Sequence, residues 1–207
     1  MGKKEKIRRG YDELAETYAA KRPGSRREMV ILDHFLDSLS EPTRILDAGC
    51  GQGTPILRRL CERTTAVGLD FSREQLRLAA ETVSPALLVQ GDMTMLPFRD
   101  DVFEAVTAYR SVIHIPLTDH QTVLDEFARV LSPGGRVLLS ESPTEFERTN
   151  TDWLDTDVKM TWSMAGAETT RKQLQNAGFR ITGEWDAPEM GGEDDPKPPF
   201  FAARLDA

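Results

Sequence analysis

The stretch Ile45-Leu46-Asp47-Ala48-Gly49-Cys50-Gly51-Gln52-Gly53 decides the reading of this chain. An apolar run enters a glycine-rich turn, and helical spacing resumes over 54–63. A strand that delivers Gly-x-Gly-x-Gly to a helix is a nucleotide-type site. Glycine lets the backbone approach a ligand closely, and the helix start offers unpaired N–H groups. The next apolar run, Ala66-Val67-Gly68-Leu69-Asp70, ends in an acid that can accept both hydroxyls of a ribose.

Two ligand classes compete for such a turn. A dinucleotide fold spaces its glycines as Gly-x-Gly-x-x-Gly, which puts Gly or Ala at position 54. Here position 54 is Thr, and the third glycine comes one residue earlier, at Gly53. Asp47 precedes the glycines; an acid there repels pyrophosphate and suits an ammonium group. The charge pattern favours S-adenosylmethionine, which has no phosphate and carries an amino group.

Outward from this stretch, helical and strand patterns alternate, which predicts an α/β domain with a mostly parallel sheet. Helices are expected over 4–20 and 25–39, before the first strand. Ser72 is expected to cap a helix, as is Thr118 or Asp119. Further strands are expected at Ala86–Gln90, Phe103–Ala108 and Arg136–Ser140, with a tight turn at Ser132-Pro133-Gly134-Gly135. Residues 142–165 show no clean period. A helix over 167–176 should end at Gly178, followed by strands Phe179–Trp185 and Phe200–Leu205. The stretch from Gly191 to Pro199 reads as an exposed loop. The chain is expected to be one domain over 1–207.

The formal net charge is -8, which argues against nucleic acid or anionic membrane as partner. The basic run Lys3-Lys4-Glu5-Lys6 with Arg8-Arg9 reads as a solvated helix face. No apolar run approaches the ~18 residues that span a bilayer. The start is charged, so a cytoplasmic protein with Cys50 and Cys61 reduced is expected. The histidines and cysteines show no metal-ligand spacing, and no metal is expected. Oligomeric state is not readable.

The segment Ile45–Gly53 resembles the first motif of the class I S-adenosylmethionine-dependent methyltransferases. Gly68-Leu69-Asp70-Phe71-Ser72 resembles their second, and Gly91-Asp92-Met93-Thr94-Met95-Leu96-Pro97-Phe98 their third. Phe103-Glu104-Ala105-Val106 is similar to their fourth strand, with Glu where Asp is commoner. Arg129–Gly135 is similar to the turn before the fifth. The likeness runs from about Tyr11 to Leu205. It implies a Rossmann-like seven-stranded sheet, mostly parallel with an antiparallel last strand, helices on both faces and an N-terminal helical cap over 1–40. It implies S-adenosylmethionine as cofactor. Asp47, Gly49, Cys50 and Gly51 would hold the methionine end, and Asp70 the ribose. Phe71 and Met93 would flank adenine, beside Ser72 and Gly91, and Asp92 would meet its amino group. Tyr11 and Tyr18 resemble the helix that caps the cofactor, though core packing also explains them. Tyr109-Arg110 departs from the small or amide residues usual after the fourth strand, in the turn that faces the methionine end.

Methyl transfer from a sulfonium needs mainly a close, aligned nucleophile, so a catalytic triad is not required. His114 is the candidate base, where related small-molecule enzymes carry a histidine; bracing the loop is the alternative. His34 and His120 read as surface or packing residues. Arg110 could pair with a carboxylate of substrate or cofactor, or with Glu141. Trp153, Met160 and Trp162 lie in the substrate-side insertion 142–165 and suit an apolar acceptor pocket, or a small satellite core. The resulting expectation is methyl transfer to a small-molecule acceptor. A non-catalytic cofactor-binding regulatory or scaffold protein is one rival. An NAD(P)-dependent oxidoreductase is another.

Overall fold

Strand β1 (Arg44–Ala48) is buried at every residue after Arg44, which follows from its apolar run. It pairs in parallel with β2 (Thr65–Asp70) on one side and β4 (Phe103–Ala108) on the other. A computed structural model describes residues 2–21, 26–40, 42–185 and 199–206. The seven-stranded sheet has the order β3-β2-β1-β4-β5-β9-β8, with β3 at Leu87–Gln90, β5 at Leu131–Ser140, β8 at Phe179–Trp185 and β9 at Phe200–Leu205. The last strand, β9, runs antiparallel to both its neighbours, β5 and β8, and the other pairs of this sheet are parallel. The order reverses between β1 and β4, and ligands of open α/β sheets bind at such a switch point.

Side chains alternate between the two faces of the sheet. Val106, Val137, Leu139 and Phe201 enter one core with α6 (His120–Val130) and α7 (Ala167–Asn176). Ala105, Leu138 and Phe200 enter the other with α3 (Arg26–Asp37) and α4 (Ile56–Cys61). This is the layering expected from the sequence.

Several local expectations need correction. The helix expected over 4–20 is two, α1 (Lys3–Glu13) and α2 (Ala15–Lys21). It breaks at Leu14, where the chain turns to bury that side chain against Ile7, Tyr11, Trp153, Val158 and Met160. The stretch without a clean period contains a hairpin, β6 (Phe146–Asn150) with β7 (Met160–Met164). Its first strand buries no residue fully, so apolar alternation never develops. Ser72 caps α5 (Arg73–Thr82) as expected, accepting from Gln75 N at 3.2 Å. Asp119 makes no side-chain cap at α6. Residues 132–135 bulge between the pairs Phe103–Leu131 and Ala105–Arg136. Gly178 follows α7 with φ +87°, as a helix stop requires. Most of the loop expected from Gly191 to Pro199 lies outside the described residues.

The basic N-terminal run does more than face solvent. Lys4 donates to Asp92 Oδ2 at 2.7 Å and to Thr94 at 2.9 Å, and Lys3 reaches Glu147 and Ser163. Lys4 pins α1 to the turn after β3, and Lys3 pins it to the β6–β7 hairpin.

Candidate functional site

The turn after β1 is built by close approaches. Gly49 and Cys50 both donate to Leu69 O, at 2.7 and 3.0 Å. Gly49 has φ +82°, and a Cβ there would lie 2.2 Å from Ser111 Cβ. That glycine lets the turn after β4 close onto the turn after β1; Ser111 Oγ completes the contact by donating to Ala48 O at 2.7 Å. Gly51 is the glycine open to a ligand, with Gln75 Oε1, at 3.5 Å, the nearest atom to the Cβ it lacks.

Two buried acids flank the turn. Asp70 Oδ2 accepts Gly51 N–H at 2.9 Å and Oδ1 accepts Ser72 N–H at 2.8 Å. Burial pushes Asp70 up to about 6 against the pull of these amides. Asp47 Oδ1 accepts from Thr107 at 2.7 Å, while its Oδ2 has no partner. Burial pushes Asp47 up to about 7, Thr107 opposes it, and the charge of Asp70 adds to the rise. Asp92 differs. Burial raises it, but Lys4 and Thr94 outweigh that and hold its carboxyl below the usual range. The Cys50 thiol is pushed well up, first by burial.

A cavity of about 580 Å³ opens on these groups, lined by Gly49, Gly51, Asp70, Phe71, Gln75, Gly91, Asp92 and Met93 at one side. Tyr11, Tyr18, Tyr109, Arg110, Ser111, His114 and Ile115 line the rest. A second cavity of about 650 Å³ shares Tyr18, Gly49, Gly51, Tyr109 and Arg110 with it and reaches Asp47, Cys50 and Glu28. Ser72 is buried behind Asp70 as the cap of α5.

His114 lines the cavity with its Nε2 2.7 Å from the Tyr11 phenol oxygen. Burial pushes the imidazole down to about 4, with the Thr161 backbone opposing. It is therefore neutral at pH 7. His120, expected as a surface or packing residue, is buried and bonds Ile115 O. Arg110 does not reach Glu141, one of its two expected partners. Its guanidinium lies 2.7 Å from Glu28 Oε1 on α3, while Glu141 accepts from its own neighbour, Ser142 N.

Trp153 and Met160 are buried in the satellite core under α1 and do not line either cavity. Trp162 packs beside them, 5.8 Å from Trp153 and 6.3 Å from His114 between ring centroids. The three sit behind the Tyr11–His114 wall, because α1 and the hairpin close on each other. Gln75, Glu28, Thr107 and Ser111 are the site residues that the sequence reading missed. Gln75 alone had a signal. It stands one turn before the inward-facing Ala79, on the buried side of α5.

Among the described residues no cluster of His, Cys, Asp or Glu could hold a metal. The donor set fits S-adenosylmethionine: an unpartnered buried carboxylate oxygen near the glycine turn, a second buried acid beside the first residues of α5, and an aromatic wall opposite.

An open α/β sheet with this turn and these acids at its switch point defines the class I methyltransferase fold. A family model described as "Methyltransferase domain" matches residues 46–139. The chain is 33% identical over 144 residues to the demethylmenaquinone methyltransferase of Bacillus licheniformis, covering 67% of this chain and 60% of that one. It superposes on a methyltransferase of Methanosarcina mazei with a TM-score of 0.74 at 18% identity, covering 84% of this chain and 97% of that one. It superposes on the [4+2]-cyclase SpnF with a TM-score of 0.70 at 20% identity, covering 90% and 84%. At such identities the structural likeness shows the fold alone. Residues 46–139 thus match a methyltransferase-domain family, on the fold shared by S-adenosylmethionine-dependent methyltransferases. It spans 37 to 60% of the length of three curated relatives that it matches.

Proposed function

We propose that the protein transfers the methyl group of S-adenosylmethionine to a small-molecule acceptor. The observation that carries this reading is the pair of adjoining cavities. They run from Asp70 and Gly51 to Tyr109, Arg110 and His114, with Asp47 Oδ2 unpartnered at their edge. The cofactor supplies a methyl group already activated on a sulfonium. Asp47, with Gly49 and Gly51, holds the ammonium end, and Asp70 takes the ribose hydroxyls. Phe71 and Met93 flank the base beside Gly91, and Asp92 receives its amino group while Lys4 keeps that carboxylate ionised. Tyr11, Tyr18, Tyr109 and Ile115 exclude water, so the acceptor is held close and aligned.

A small acceptor follows from the closed aromatic wall and the acidic chain. The Bacillus relative, a demethylmenaquinone methyltransferase, supports an apolar one. No helix among the described residues is long and apolar enough to cross a membrane. His114 faces the cavity as a neutral imidazole. It accepts a proton only weakly, which favours acceptors that need placement more than deprotonation.

Calorimetry with S-adenosylhomocysteine and with NADH tests the cofactor. A preference for NADH would sink the assignment. A metabolite pool assayed for S-adenosylhomocysteine formation tests the transfer. The second reading, cofactor binding without methyl transfer, draws on the same fold in a protein named as a cyclase. It also draws on the engagement of His114 with Tyr11 and of Arg110 with Glu28. Tight S-adenosylhomocysteine binding with no turnover of any pool would favour it.

A further inference from the structure

Gln75 sits in the first turn of α5 and is 1% exposed. Neither its Nε2 nor its Oε1 has a hydrogen-bond partner. Its backbone N–H is anchored on Ser72 Oγ at 3.2 Å, and Ser72 Oγ in turn donates to Asp12 on α1 at 2.7 Å. The root of the side chain is thus fixed. The amide reaches the cavity wall between Gly51 and Asp70, with Oε1 3.5 Å from the place of a Gly51 Cβ. Gly51 N–H cannot satisfy it, because that donor is used by Asp70 Oδ2.

A buried amide with both ends unpaired is costly, and a methionine or leucine would fill the same space without that cost. A ligand that satisfies it must offer a donor and an acceptor together, and a hydroxyl does both. Asp70, when ionised, only accepts. Already receiving one amide on each oxygen, it keeps lone pairs for hydroxyl protons. An acceptor-only carboxylate beside a donor-acceptor amide complements two neighbouring hydroxyls: one donates to Asp70 and receives from Gln75 Nε2, and the other donates to Gln75 Oε1.

We propose that Gln75 is a cofactor-specificity residue, which reads the ribose diol of the cofactor jointly with Asp70. The inference rests on the S-adenosylmethionine reading of the cavity. It makes two demands that packing alone does not. Removing the amide stabilises the ligand-free protein, and the same change weakens binding of a ligand with both hydroxyls more than of one that lacks a hydroxyl.

The test compares wild type, Gln75→Met and Gln75→Leu by thermal unfolding without ligand. It then compares them by calorimetry with S-adenosylhomocysteine and its 2′-deoxy and 3′-deoxy analogues. Gln75→Met keeps the volume if the leucine variant fails to fold. The expected result is a ligand-free melting temperature raised by about 2 °C or more. S-Adenosylhomocysteine affinity should fall ~10- to 100-fold. At least one deoxy analogue should bind wild type and variant nearly equally. Affinity for S-adenosylhomocysteine unchanged within about twofold would overturn the proposal and leave Gln75 as a residue that holds water. A drop that is the same for all three ligands would also overturn it. Failure of the wild type to bind S-adenosylhomocysteine at all overturns the cofactor reading first, and Gln75 with it.

Discussion

Nε2 of His114 lies 2.7 Å from the phenol oxygen of Tyr11, with the two rings edge to face at 5.1 Å between centroids. This contact joins the N-terminal helix to the turn after β4, and both residues border the cavity that Asp70 and Gly51 line. The joint is covered on its far side by Trp153, whose ring packs 5.3 Å from that of Tyr11. A histidine so placed is a neutral hydrogen-bonding partner first.

Its neutrality is measurable. Burial holds the imidazole at about 4, below its ordinary 6.5. NMR should therefore show a histidine ring, lost in His114→Gln, that does not titrate between pH 5 and 8. Tyr11→Phe should cost about 1–3 kcal/mol in urea unfolding, since it strands a buried ring nitrogen. A His114 ring that titrates near 6.5 would show that the wall is wet and that the ring is free to act as a base.

Asp47 sets a pH dependence of the opposite sense. Its folded value of about 7 lies above the unfolded ~3.9. The folded state then binds more protons between those values, so this group's stabilisation is present below pH ~4 and lost as pH rises through 7. Asp47→Asn should flatten that part of the melting curve, read as the difference between variant and wild type. A ligand that brings an ammonium favours the ionised form. S-Adenosylhomocysteine should thus bind more tightly as pH rises from about 5.5 to 7.5 and release a proton near pH 6. Calorimetry in buffers of different ionisation heat detects that proton. No proton release would remove Asp47 from the ammonium site.

Gly49→Ala should be the most damaging change in the glycine turn. The added Cβ falls 2.2 Å from Ser111 Cβ, in a backbone held at φ +82°. Strain in the left-handed region costs about 1–2 kcal/mol and the overlap about 1–3 more. Adding Ser111→Gly should recover the second part and not the first, as urea unfolding can resolve. Full recovery would mean that the backbone relaxes out of the left-handed region.

The fold was legible because its signals are local. An apolar β1, the glycine turn and the Ser72 cap each specify their own geometry from adjacent residues. The acids Asp47, Asp70 and Asp92 were legible for the same reason, as strand-end or turn positions. The pairs that define the acceptor side were not. Tyr11 with His114 and Arg110 with Glu28 join residues far apart in the chain, and neither partner carries a local mark of the other. The aromatics of 142–165 suited an acceptor pocket and a satellite core equally by composition. Burial of Trp153 and Met160 at 4% and 0% puts them in the core.

Arg110 combines a strained backbone with an ion pair, and the two can be separated. Its φ is +52°, outside the region that non-glycine residues prefer. Its side chain pairs with Glu28 while remaining 43% exposed, so solvent screening limits the pair to about 1 kcal/mol. Arg110→Met and Arg110→Gly both remove the pair, but only glycine also relieves the backbone. The glycine variant should therefore be the more stable by about 1 kcal/mol in urea unfolding. Equal stabilities would mean that the turn is not strained. The pair stands where the two cavities join, so its role in binding is also separable. If Arg110 and Glu28 shape the site as a unit, Arg110→Met and Glu28→Gln lower S-adenosylhomocysteine affinity by the same factor, and the double variant adds nothing further. If Arg110 itself grips the ligand carboxylate, Arg110→Met alone is costly, and Glu28→Gln, which frees the guanidinium, leaves affinity unchanged or raises it.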